Sequence, residues 1–131
     1  MNQVKTYIAP SKIEGVGLFA GQDIKKGTLI WKFSGLDQQF TYKQIQQLKL
    51  TELEKQYFKR YEFGKDGVYI FCSDDARFCN HADNPNTDGY PKQYALVDIK
   101  KGEEITCNYH SINNGFDKTE FAILKSHNQP I

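Results

Sequence analysis

The sequence predicts a mainly-β fold of short strands carrying one short helical insert, and three observations point there. Apolar residues alternate over short runs that end near Gly, Pro, Asn or Asp. A single stretch of helical spacing, about residues 41–63, interrupts them. One pattern, A-x-x-D-I-K-K-G-x-x-I, occurs twice, beginning at Ala20 and at Ala95.

Residues 4–9 alternate and read as the first strand; residues 29–33, 68–72, 94–97 and 105–109 read the same way. In the insert, Thr41 precedes Gln44, and Thr51 precedes Glu54, by the three-residue spacing of a reciprocal N-terminal cap. The first cap opens a short helix with Ile45 and Leu48 on one face. The second opens a helix whose Leu53, Tyr57, Phe58 and Tyr61 form an apolar stripe. That stripe is expected to pack in the core, leaving Lys55, Lys59 and Arg60 as a solvated face. Each copy of the repeated pattern reads as a strand, a polar turn with Gly at a positive-φ position, and a second strand. The pair fits either convergent hairpin chemistry or a pseudo-symmetric β fold.

A chain of 131 residues is expected to form one domain, 1–131, because it has room for one core. Apolar residues at 39% and charged residues at 25% are ordinary for a globular protein and exclude wholesale disorder. Aromatics reach 14%, enough to suggest a pocket walled by rings. A net charge of +1 argues against a nucleic-acid binder built on Tyr42, Tyr57, Phe58, Tyr61 and nearby Lys. Arg60 and Arg77 are the two Arg, so Arg77 reads as structural or site-related rather than as one more solvated charge. No run approaches the roughly 20 apolar residues of a membrane span, and the first residues do not resemble a signal peptide. A cytoplasmic, membrane-free location is therefore expected, with a host nucleus as the destination if the chain is viral or an effector. Cys72, Cys79 and Cys107 cannot all pair, which suits a reducing compartment.

Three polar clusters could carry chemistry. Gly15-Val16-Gly17 lets a backbone approach a ligand closely, but the third Gly and following helix of a dinucleotide fingerprint are missing. A β-bulge would look the same. The segment around Arg77, Asn80 and His81, closed by Asn84-Pro85-Asn86, offers donors and acceptors on a turn; a polar loop capped by Asn is the plainer reading. A metal site using Cys79 and His81 with Cys72, Cys107 or His110 lacks paired ligand spacing, so no metal is expected. In the third cluster, G-E-E-I-T-C-N-Y from Gly102 to Tyr109, adjacent Glu residues on a strand face opposite sides and cannot act as a carboxylate pair. No Ser or Cys sits in a nucleophile elbow.

In order and spacing, G-x-G, R-F-x-N-H-x-x-x-P-N and G-E-E-I-T-x-N-Y together resemble the SET-domain lysine methyltransferases over roughly residues 5–110. The small size resembles the stand-alone members of bacteria and large viruses. The resemblance implies a β-clip fold of small sheets, a C-terminal pseudoknot, S-adenosylmethionine as methyl donor, and a lysine in a protein or peptide as acceptor. It places the backbone of Gly15, Val16 and Gly17, with Asn80, at the methionine end of the donor, and the His81 backbone at the adenine edge. Tyr109 would be the catalytic tyrosine. Phe33, Tyr69 and Cys107 would line the lysine channel, and the insert would wall the peptide groove. In the tail, 111–131, Phe116 or Phe121 would cover the adenine, with Phe116 preferred.

The sequence departs from the family at Phe33-Ser34-Gly35, where Tyr-x-Gly is frequent, and at Ala82-Asp83 after Asn-His. It also lacks the Cys-rich C-terminal cluster of many members. The missing hydroxyl at Phe33 leaves a second reading open, an inactive SET module that binds peptide or cofactor. The sequence assigns no oligomeric state.

Overall fold

The twice-used pattern is the centre of the fold. In the computed structural model, which describes residues 1–112, Ile24 and Ile99 exchange both backbone hydrogen bonds, 2.7 Å each way. The Lys26 N–H donates to the Asp98 carboxylate at 2.8 Å, and the Lys101 N–H to Asp23 at 2.9 Å. The Gly27 N–H donates to the Ala95 carbonyl and the Gly102 N–H to the Ala20 carbonyl, both at 2.8 Å. Each bond in one copy has its counterpart in the other, so the echo is a local pseudo-two-fold. Gly27 and Gly102 sit at φ +86° and +91°, a region costly for any residue with a Cβ. The apolar letters of the pattern, Ala20, Ile24, Ile30, Ala95, Ile99 and Ile105, join Leu18 in one buried cluster.

Three small sheets grow around this centre. Strands β1 (Thr6–Pro10), β2 (Val16–Ala20), β9 (Glu104–Cys107) and β6 (Asn80–His81) form one, in the order β1-β2-β9-β6. Strands β3 (Leu29–Trp31), β8 (Gln93–Ala95) and β7 (Thr87–Asp88) form the second, and β4 (Gln38–Thr41) pairs with β5 (Val68–Phe71) in the third. This is the expected mainly-β architecture of small sheets. The β6–β9 pair is parallel, setting Asn80 opposite Thr106 and His81 opposite Cys107. Two clusters far apart in sequence thereby become neighbours. The expected pseudoknot involves the C-terminal segment, of which residues 113–131 lie outside the described residues.

Helices α1 (Tyr42–Gln47) and α2 (Glu52–Tyr61) both open on complete reciprocal caps: Thr41 with Gln44, and Thr51 with Glu54. Ile45, Phe58 and Tyr69 form their shared buried cluster, and the Phe58 ring stacks on Phe71 at 5.7 Å. The apolar stripe is narrower than expected, because Leu53 is 71% exposed. Five residues at about 100° each carry Leu53 some 140° around the helix from Phe58, away from the sheet. Strand β4 was not legible beforehand, since its Gln-Gln-Phe-Thr sequence has no apolar alternation; pairing with β5 makes it a strand. At the far end β9 stops at Cys107, and Tyr109 opens the short helix α3 (Tyr109–Ile112) instead of ending a strand. Among the described residues no helix is long and apolar enough to cross a membrane.

Candidate functional site

The β6–β9 pairing brings the three polar clusters together. From β6, Asn80 Nδ2 donates to the Glu14 carbonyl at 3.1 Å, the Val16 carbonyl at 3.2 Å and Glu104 Oε2 at 3.1 Å. The Ser11 hydroxyl donates to the same carboxylate, 2.8 Å from Oε1 and 2.9 Å from Oε2, and accepts from the Ile13 N–H. Gly17 faces this carboxylate so closely that a Cβ there would collide with Glu104. Gly15, at φ +48°, turns the chain into β2. The side chains of Asn80 and Glu104 thus fix the backbone of Gly15, Val16 and Gly17.

Tyr109 is held at two points. Its backbone N–H donates to His81 Nδ1 at 3.0 Å, and its phenol donates to the Cys79 carbonyl at 2.7 Å. Because Nδ1 accepts, the ring proton of His81 lies on Nε2, which donates to Asp83 Oδ1 at 2.8 Å. Burial, reinforced by the neighbouring Cys107 and Cys79, pushes the phenol well above its ordinary value, so Tyr109 stays neutral through the mildly alkaline range.

Beside Tyr109 lies a cavity of about 280 Å³, walled by Trp31, Tyr61, Phe63 and all three cysteines. A hydrogen bond with Cys107, together with burial, raises the Cys79 thiol, and burial pushes Cys72 up to about 12. Neither is a ready thiolate nucleophile. Among the described residues no group of three or more His, Cys, Asp and Glu is placed to hold a metal ion.

The same wall carries charge. Arg60 pairs with Glu14 at 3.6 Å and lies over the Tyr61 ring. Arg77 lies 5.3 Å from the Phe78 ring centre and 6.0 Å from that of Phe71, with its Nε buried and without a partner. Burial lowers the Lys59 amine. Lys59 and Arg60, expected on a solvated face, therefore belong to the cavity wall. The reason is rotation: Lys59 sits about 100° around α2 from Phe58 and flanks the buried stripe.

Of the residues singled out from sequence, Tyr109 and Cys107 line the cavity, and Asn80, His81 and the Gly15–Gly17 turn adjoin it through the bonds above. Phe33 and Tyr69 do not line it. Phe33 is 40% exposed on the loop after β3, which Asp37 ties down by accepting from the Met1 ammonium and the Ser34 and Ser73 N–H groups. Tyr69 is buried against Ile45 and Phe58, because alternation along β5 turns Ile70, not Tyr69, toward Trp31. Phe116 and Phe121 lie outside the described residues. Sequence reasoning missed Glu14, Lys59 and Arg60 on the wall; the scarcity of Arg, which Arg60 and Arg77 share, was read as a signal for Arg77 alone.

A family model described as SET domain matches residues 15–110. The histone-lysine N-methyltransferase trr of Drosophila melanogaster is 30% identical, covering 79% of this chain and 5% of its own length. An H3 lysine-36 specific histone-lysine N-methyltransferase of Mycosarcoma maydis is also 30% identical, over 89% of this chain and 13% of its own length. The chain thus spans a small part of these relatives. Among solved structures, ctPRC2 in an autoinhibited conformation bound to S-adenosylmethionine superposes with a TM-score of 0.63 at 25% identity, covering 81% of this chain and 15% of that one. The Chaetomium thermophilum polycomb repressive complex 2 gives a TM-score of 0.62 at 22% identity, with the same coverage of each chain.

Proposed function

The chain belongs to the SET-domain family, and on that premise we propose that it is a protein-lysine N-methyltransferase using S-adenosylmethionine. The observation that carries this reading is Tyr109 on the wall of the cavity, held at its backbone by His81 and at its phenol by the Cys79 carbonyl. The residues present fit the donor: the buried, unpartnered Nε of Arg77 suits its carboxylate, and Gly15, at φ +48° with nothing beside the place a Cβ would take, leaves the turn open to its approach. Gly15, Val16 and Gly17, braced by Asn80, would hold its methionine end and the His81 backbone its adenine. Phe116 remains the proposed cover of the adenine.

When bound, S-adenosylmethionine supplies an electrophilic methyl group. The acceptor lysine must be neutral, yet a free amine has a pKa near 10.4. Rings of Trp31, Tyr61 and Phe63 withdraw the ammonium from water, which eases its loss of a proton to water. The phenol proton of Tyr109 is committed to Cys79, so its oxygen is left to accept from the incoming amine and orient it. Catalysis is then mostly alignment, for which intramolecular reactions allow about 7–11 kcal/mol.

Incubation with labelled S-adenosylmethionine and a mixed protein lysate tests the reading. Label in protein lysine supports it. Donor binding without any transfer would instead support the inactive-module reading.

The rate should rise about tenfold or more between pH 7 and about 9, because the acceptor must shed its proton. The raised phenol of Tyr109 adds no alkaline loss in that window. A pH–rate profile peaking near 6 would point to His81 or His110 as an acid–base group and contradict this account.

Product multiplicity follows from Cys107, two residues before Tyr109 and buried on the cavity wall. A thiol is a poor anchor for an ordered water, so a methylated amine keeps room to turn and react again. Tyr69 and Phe71, the rings expected to restrict that space if any did, pack around Phe58. Mass spectrometry at long times should find di- or trimethyl-lysine with the native chain and a shift toward monomethyl with Cys107→Tyr. A native product stalled at one methyl refutes the idea.

A further inference from the structure

A charged contact joins the helical insert to the glycine turn. Arg60 on α2 reaches Glu14, the residue before Gly15, with 3.6 Å between Nη2 and Oε1. Glu14 is held from two sides, because its carbonyl accepts from Asn80 at 3.1 Å while its carboxylate meets Arg60. Arg60 is steadied in turn by the Tyr61 ring, whose centre lies 5.7 Å from the guanidinium carbon. A guanidinium laid on a ring has less freedom to lose on pairing, which favours an ion pair that solvent would otherwise weaken. Both residues belong to the cavity wall. They also lie near Tyr109: after burial and the two cysteines, Glu14 raises its phenol further and Arg60 lowers it.

We infer that Arg60 is a positioning residue: by holding Glu14 it braces the Gly15–Gly17 turn in the form that receives S-adenosylmethionine, so that docking of the insert and binding of the donor support each other. The inference rests on the methyltransferase reading, and it gives the insert a task besides walling the peptide groove. Neither side chain of the pair needs to touch the donor. Asn80 fixes the turn from the β6 side through the Glu14 and Val16 carbonyls, and the Ser11 hydroxyl fixes it from within through the Ile13 N–H. Arg60 supplies the side that faces the insert. With the Glu14 side chain 55% exposed and that of Arg60 25%, the pair acts with modest strength and is screened by salt.

Calorimetry of S-adenosylhomocysteine binding tests the link. Native protein, Arg60→Met, Glu14→Gln, the double variant, and the exchanged pair Glu14→Arg with Arg60→Glu are titrated at low and high salt. Each single variant is expected to bind about three- to fivefold more weakly at low salt, and the double variant no more weakly than either. The exchanged pair should recover most of the loss, and high salt should narrow the gap to native protein. Saturating S-adenosylhomocysteine should also slow amide hydrogen exchange in α2 of the native protein but not of Arg60→Met. Additive losses, an exchanged pair as weak as the single variants, or unchanged binding in Arg60→Met would each overturn the inference. Equal protection of α2 in native and Arg60→Met proteins would do the same, by placing α2 against the donor without the pair. Native protein that binds no S-adenosylhomocysteine would remove the methyltransferase reading itself, a failure read in the native arm alone.

Discussion

Tyr109→Phe should lower methyl transfer by about 10²–10³-fold while leaving S-adenosylhomocysteine affinity within a few-fold. The magnitude is that of removing one preorganised hydrogen-bonding group from the reacting centre. The substitution removes only the phenol oxygen. The backbone bond to His81 Nδ1 at 3.0 Å survives, so the ring keeps its place on the cavity wall. Loss of the 2.7 Å bond to the Cys79 carbonyl costs about 1 kcal/mol of stability, too little to explain a rate effect of that size. Single-turnover transfer of labelled methyl, a binding titration and a melting curve together separate these effects. Near-native turnover in the variant would remove Tyr109 from the chemistry. A large loss of donor affinity would instead make it a packing residue.

What the sequence made legible depended on whether a residue's role is local. The caps at Thr41 and Thr51 were visible because both partners lie within one turn. The turns were visible through the repeated pattern, whose Gly positions take the positive φ expected of them, whereas nothing in the pattern said that its Ala and Ile positions form the buried cluster. That the copies bond to each other, Asp98 to the turn of the first and Asp23 to the turn of the second, is non-local, and hairpin chemistry alone would have left the same letters. The site behaved likewise. Asn80, His81 and Tyr109 stood out as motif members, but the contacts that make them a unit run through side chains no spacing reveals: His81 Nδ1 to the Tyr109 N–H, and Asn80 across to Glu14. Lys59 looked like a solvated charge because a helix pattern fixes angles around an axis without saying what stands beside the flank. Tyr69 was put in the channel by the resemblance alone, since alternation names two faces of β5 without saying which meets the cavity.

Asn80→Asp should destabilise the protein more than Asn80→Ala. It exchanges one amide NH₂ for a carboxylate oxygen at the point where the Glu14 carbonyl, the Val16 carbonyl and Glu104 converge. Alanine leaves the exposed Glu14 and Val16 carbonyls short of a donor, which water can replace, while Ser11 still serves Glu104. Aspartate adds a fourth acceptor carrying charge, against a carboxylate already fixed by Ser11. The cost is about 2–4 kcal/mol at pH 7, within the range for leaving polar or charged groups unsatisfied when partly buried. The sign with pH follows. A carboxylate among acceptors has its folded pKa raised above the unfolded value, so the charged form penalises folding. That penalty is full above the folded pKa and fades as pH falls through it, because the proton restores a donor. Melting temperatures of native, Asn80→Ala and Asn80→Asp proteins at pH 7 and pH 5 should show the Asp variant lowest at neutrality and closing on the Ala variant in acid. Loosening of the Gly15–Gly17 backbone should cost both variants more than tenfold in S-adenosylhomocysteine affinity. Equal melting of the two variants at both pH values would mean that Asn80 does not anchor that turn through its amide, and the link from the Asn-His cluster to the glycine turn would fall with it.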